Sequence, residues 1–286
     1  MSEIRKEDYE EPRCVICDPV TGQAVDSMSR IPVQRVVEKL DEYCGREDFA
    51  GAERHLKYWL AEAQSIRDMR GEFTLCEEMM GFYRKQGREE EAVASAKDAL
   101  RLMEFLGYGD APSGATCFVN CGTVYDAFGM PETAIGYFER ARKIMEKQPF
   151  PDYSKLGGLY NNMGQTLVDL ERWDEAEACY RRALECMAEV KHGELEQAIT
   201  WLNMADAAAY EKGFEEAEET AHEYLSKAKE LLETPDLPRN GYYAFVLEKC
   251  APAFYCWGDA EYGETIEERS RKIYEEIGRA SCRERV

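Results

Sequence analysis

Residues 157–184 read GGLYNNMGQTLVDLERWDEAEACYRRAL, and this stretch decides the fold. Tyr160, Met163, Leu167 and Leu170 recur at steps of 3, 4 and 3, which places them on one face of a helix. The polar pair Glu171 and Arg172 interrupts that face. Trp173, Ala176, Tyr180, Ala183 and Met187 then build a second face at the same period. Gly164 and Ala176 are small where two antiparallel helices would touch. The stretch therefore predicts an αα-hairpin.

The pattern recurs on both sides. Ala92, Ala134, Ala176 and Ala217 are spaced 42, 42 and 41 apart. Seven residues further on stand Ala99, Ala141, Ala183 and Tyr224, with Ala96, Phe138, Tyr180 and Ala221 between. The small residue of the first helix is Gly122, Gly164 and Ala205, with Met80 in the loosest copy. A fixed period with this rhythm marks a helical solenoid. These residues resemble the tetratricopeptide repeat (TPR), in the 42-residue variety of kinesin light chain and many bacterial TPR proteins. The resemblance implies an all-α, right-handed α-solenoid of about six antiparallel hairpins.

The organisation follows from breaks in the pattern. Residues 1–30 are polar, interrupted by Pro12, Pro19 and Gly22, and read as an irregular arm. Residues 31–276 carry the hairpins. Proline and glycine mark the connectors, with Pro131 where a helix begins and its missing N–H costs nothing. Pro252 falls inside a helix, where a kink is expected. The last ten residues, IGRASCRERV (277–286), are basic where the rest is acidic. Codons that encode them resemble a common sequencing adapter, so this tail is read as non-native.

Charge narrows the partner. The chain of 286 residues carries a formal net charge of −21. Phosphate backbones require clustered Lys and Arg, so nucleic acid is not expected. An anionic membrane surface is disfavoured for the same reason. The opening MSEIRKEDYEEP has no apolar core, and no run is long enough to span a bilayer. A cytoplasmic protein is the expectation, with its eleven cysteines mostly as thiols. Cys76, Cys117, Cys121 and Cys179 lie at packing positions.

Catalytic signals are missing. No GxSxG, P-loop or GxGxxG appears. His55, His192 and His222 have no metal-ligand spacing and read as ordinary surface or packing residues, with the helices of His55 and His222 turned outward by the resemblance. Cys14 and Cys17 form a CxxC in the arm. Zinc normally takes four ligands. A metal- or redox-responsive adaptor role for this pair, with zinc as the metal, is the alternative to a plain binding scaffold.

The strongest binding signal is a ladder. Asn120, Asn162 and Asn203 occupy the same place in successive first helices. In the TPR family those helices line a concave groove, where an Asn amide can grip a peptide backbone as donor and acceptor together. The alternative is that each Asn bonds a neighbouring helix. The resemblance adds Glu77, Arg84, Lys85, Thr116, Thr123, Asp126, Asn161, Gln165, Asp169, Asp206 and Tyr210 as groove neighbours. The two-Lys carboxylate clamp of chaperone-binding TPRs is not matched. The expectation is a non-enzymatic scaffold that binds a peptide or protein segment.

Overall fold

The computed structural model describes residues 30–277. Among them every element is helical: α1 Val33–Gly45, α2 Phe49–Ser65, α3 Met69–Lys85, α4 Glu89–Phe105, α5 Pro112–Ala127, α6 Pro131–Glu146, α7 Tyr153–Asp169, α8 Trp173–Ala188, α9 Glu194–Lys212, α10 Phe214–Leu232, α11 Gly241–Cys256 and α12 Ala260–Ile277. Successive helices pair as the period predicts, α1 with α2 and α3 with α4, and further on α7 with α8, α9 with α10 and α11 with α12. The arm with Cys14 and Cys17 and the tail from 278 onward lie outside the described residues.

Each hairpin turns at a residue with a left-handed backbone. These are Glu47, Gly87, Gly129, Glu171, Gly213 and Gly258, with φ between 57° and 86°. Glycine adopts this conformation without a Cβ penalty. Glu47 and Glu171 adopt it because the packed helices on both sides dictate the reversal. Side chains close several helix starts: Asp48 accepts from Gly51 N at 2.8 Å, and Asn240 accepts from Tyr243 N at 3.1 Å.

The helices fall into two compact units, divided inside α5 after Val124. In the first, Leu56, Trp59, Leu75, Met80 and Leu102 fill the core. Asp68 ties its start together, accepting from Ile31 N and Gly71 N at 3.0 Å each. Arg88, just before α4, pairs with Glu53 of α2 at 2.8 Å and lies over the Tyr83 ring. His55 is fully buried, with Nε2 2.9 Å from Val36 O. Of the surface and packing roles open to it, the structure gives it packing: α2 turns this position onto α1.

In the second unit, Phe138, Leu159, Tyr180, Leu202, Ala221, Tyr243, Val246 and Phe254 are buried. The marker alanines Ala134, Ala176 and Ala217 are each no more than 1% exposed, as is Ala92 in the first unit. Gly164 shows why small residues are required. A Cβ there would sit 2.5 Å from Cε1 of Tyr180, which the facing helix α8 presses against it. Helix α11 continues through Pro252, which lies on the exposed side, where water can serve the carbonyl that a proline ring leaves unpaired.

Candidate functional site

The predicted groove residues sit on first helices in both units. In the first unit, Asn120 of α5 donates through Nδ2 to Glu77 Oε1 of α3 at 3.3 Å. Burial pushes the Glu77 carboxyl up to about 7, with the Asn120 hydrogen bond opposing the shift. Arg84 and Lys85 stand in the last turn of α3, the first half-buried and the second exposed.

In the second unit, Asn203 of α9 donates through Nδ2 to Asn161 Oδ1 of α7 at 3.1 Å. This is the helix-to-helix bond that was the alternative to ligand binding. The Asn162 amide differs. It is half-buried and makes no side-chain hydrogen bond, and Gln165 beside it is exposed. Asp169 ends the same helix, open to the surface.

Asp126, at the end of α5, accepts from Thr166 Oγ1 of α7 at 2.6 Å. Thr166 is fully buried. Asp126, Asp169 and Asp206 all have carboxyls pushed above the usual range, in each case first by burial. All three lie near enough to Tyr180 to oppose its ionisation, though burial of the phenol is the larger cause. The structure thus brings three sequence-predicted acids from α5, α7 and α9 around one buried tyrosine. Tyr210, one turn beyond Asp206, is 74% exposed.

Two participants escaped the sequence reading. Thr166 reads as a filler in the hairpin. Trp257, at the end of α11, is buried, and its indole N–H is turned toward Asp206, where it partly offsets the rise. That N–H makes no hydrogen bond of normal geometry. Phe214 packs on Trp257 with ring centroids 4.9 Å apart, yet is itself 57% exposed. The spacing of Asp206 and Tyr210 on one helical face was the only available pointer to this corner.

Among the described residues no group of three or more His, Cys, Asp or Glu is placed to hold a metal. Nor is any helix there long and apolar enough to cross a membrane. A cleft lined by Trp173, Ala176, Tyr180, Met204 and Tyr224 has a volume of about 100 Å³. Small-molecule sites usually hold roughly 300 Å³ or more. Buried thiols are held protonated: Cys76 is pushed up to about 12 and Cys179 to about 11 by burial.

Helix hairpins that turn at a left-handed residue and meet through small residues define a helical-repeat protein. Residues 78–147 and 156–233 match the sequence profile of the tetratricopeptide repeat, and the chain belongs to that family. Among solved structures it is similar to BtubC (BKLC) from P. vanneervenii. There the identity is 17%, the TM-score is 0.52, and the match covers 85% of this chain and 95% of that one. It is also similar to NprR in complex with its cognate peptide NprX, at 12% identity and TM-score 0.54, covering 86% and 68%. A putative kinesin light chain with TPR-like repeats from Podospora anserina aligns at 16% identity, covering 71% and 95%, with a TM-score of 0.49. These identities speak for the fold alone. No curated protein matches the chain in sequence.

Proposed function

We propose that this protein is a non-enzymatic scaffold whose first helices hold an extended peptide or protein segment. The carrying observation is the Asn162 amide. It sits half-buried on α7 with no side-chain hydrogen bond among the described residues, while Asn120 is taken up by Glu77 and Asn203 by Asn161. An amide within reach of water makes no internal bond that a ligand must break, and a peptide backbone can meet it as donor and acceptor at once. Gln165, one turn on, offers a second amide to the same segment. NprR, which shares the fold, holds a peptide, and this is consistent with the reading.

The test is selection of binders from a random peptide library displayed on phage, using the whole chain as bait. Selected peptides are expected to lose about tenfold in affinity against Asn162→Ala/Gln165→Ala, with helicity by circular dichroism unchanged. A library that yields no binder, or binders indifferent to the double substitution, refutes the reading.

A further inference from the structure

Five asparagines occur in the chain, and Asn240 alone is followed by glycine. Asn120, Asn161, Asn162 and Asn203 lie inside α5, α7 and α9. There the backbone nitrogen that follows each of them is tied into the helix ladder. Asn240 lacks that protection. It is exposed, and its backbone is extended, with φ −104° and ψ −172°. Gly241 opens α11, so its N–H is one of those that a helix start leaves without an intrahelical acceptor. Among the described residues this N–H makes no hydrogen bond.

The carboxamide of Asn240 is meanwhile held in place. Tyr243 N donates to its Oδ1 at 3.1 Å, which caps the helix. The same distance suits a donor that stabilises negative charge developing on that oxygen. Tyr243 is itself fixed, at 1% exposure, with its hydroxyl donating to Leu232 O at 3.2 Å. An electrophilic carbon, a donor for its oxygen and an unengaged neighbouring nitrogen thus stand within two consecutive residues and one helical turn. Glycine adds no side chain to obstruct the approach of that nitrogen.

We infer that Asn240 is a site of spontaneous modification, at which the Gly241 nitrogen displaces the side-chain amide and changes the cap of α11. Base removes the proton of the Gly241 N–H, and the nitrogen attacks Asn240 Cγ. The new N–Cγ bond forms, the Cγ–Nδ2 bond breaks, and Nδ2 takes up a proton and leaves as ammonia. The product is a five-membered succinimide, which water then opens. Cleavage of the new N–Cγ bond gives aspartate. Cleavage of the original peptide bond gives isoaspartate, whose main chain runs through Cβ and Cγ. One water is consumed and one ammonia released, and nothing is oxidised or reduced. Aspartate remains a good cap, and its charge suits a helix start. Isoaspartate lengthens the main chain by one carbon. It displaces both acceptors that close the first turn, the Oδ1 bonded by Tyr243 N and the carbonyl bonded by Ala244 N at 3.1 Å.

The test ages the whole chain at pH 6 and at pH 8.5. Products are followed by peptide mass mapping and by enzymatic methylation, which labels isoaspartate. Both acids are expected at position 240, faster at the higher pH, with the four helical asparagines intact. Gly241 has no left-handed backbone, so alanine can take its place, and Gly241→Ala is expected to convert about tenfold more slowly. Asn240→Asp is expected to melt with the unaged parent, and the isoaspartyl fraction of aged parent, separated by chromatography, about 2–4 °C below it. No conversion at Asn240, or equal conversion at the helical asparagines, overturns the inference. An unchanged rate in Gly241→Ala also overturns it, because the attacking nitrogen is then not the one named. Aspartate without isoaspartate overturns it too, because direct hydrolysis of the side chain gives aspartate alone. An isoaspartyl fraction that melts with the parent refutes the change of cap.

Discussion

Gly164→Ala tests the packing on which the hairpin depends. In an exposed helix interior, replacing glycine by alanine stabilises by about 0.5–1 kcal/mol, because the unfolded chain loses freedom. Gly158, on the same helix, has nothing within 4 Å of where its Cβ would stand, so Gly158→Ala should gain that amount. At Gly164 the new methyl meets three atoms of the Tyr180 ring at 2.5–2.8 Å. That ring is 1% exposed, so moving it aside disturbs buried packing. Overpacking of this kind costs about 1–3 kcal/mol, which leaves a net loss of about 1–2 kcal/mol after the helix-propensity gain. Urea unfolding followed by circular dichroism should therefore give the two alanines opposite signs. In a Tyr180→Leu background, which removes the ring, Gly164→Ala should become neutral or favourable. If both alanines stabilise in the native background, the close approach of α7 and α8 is wrong, and so is the reading of small residues as its cause.

Two further outcomes are expected. Glu77 has its carboxyl raised from 4.5 to about 7, so its folded form holds a proton that the unfolded chain releases. Its contribution to stability is therefore full below pH 4.5 and lost as pH climbs to about 7, a swing of about 3 kcal/mol. Glu77→Gln keeps an acceptor for Asn120 and should be more stable than the parent at pH 8 but not at pH 4; parallel pH profiles of the two proteins would contradict this. Glu171 holds a left-handed backbone with φ 57°, a conformation costing a side-chain-bearing residue about 1 kcal/mol. Glu171→Gly should raise the unfolding midpoint slightly despite the added chain freedom, and a clear drop would show that the turn imposes no strain.

Much of the fold could be read from the chain, and the reason is geometric. A helix crossing admits only small residues at one point per repeat. That demand recurs every time a hairpin stacks, so Ala92, Ala134, Ala176 and Ala217 appear at a fixed period and end up buried. Turns were less legible. Gly87, Gly129 and Gly213 announce themselves, but Glu47 and Glu171 take the same left-handed shape with a residue that carries no turn signal. There the surrounding helices impose what the local sequence does not request. His55 was undecided for a related reason: an average repeat allows its position to be surface or packing, and the first hairpin turns it inward.

The site was legible in position and not in pairing. Periodicity locates Asn120, Asn162 and Asn203 at one level of successive first helices, and equal level suggests equal role. The structure separates them. Asn120 is engaged by Glu77 and Asn203 by Asn161, whereas Asn162 is left without a partner. What decides between them is the residue facing each across the neighbouring helix, some 40 positions away, and that choice follows no period. Thr166 with Asp126 and Trp257 with Asp206 were hidden for the same cause. An engaged amide must break its bond before it can hold a ligand, which cancels most of the roughly 1 kcal/mol the new bond would bring. Affinity should therefore concentrate at Asn162 rather than spread evenly along the ladder, and Asn203→Ala should cost a bound peptide much less than Asn162→Ala.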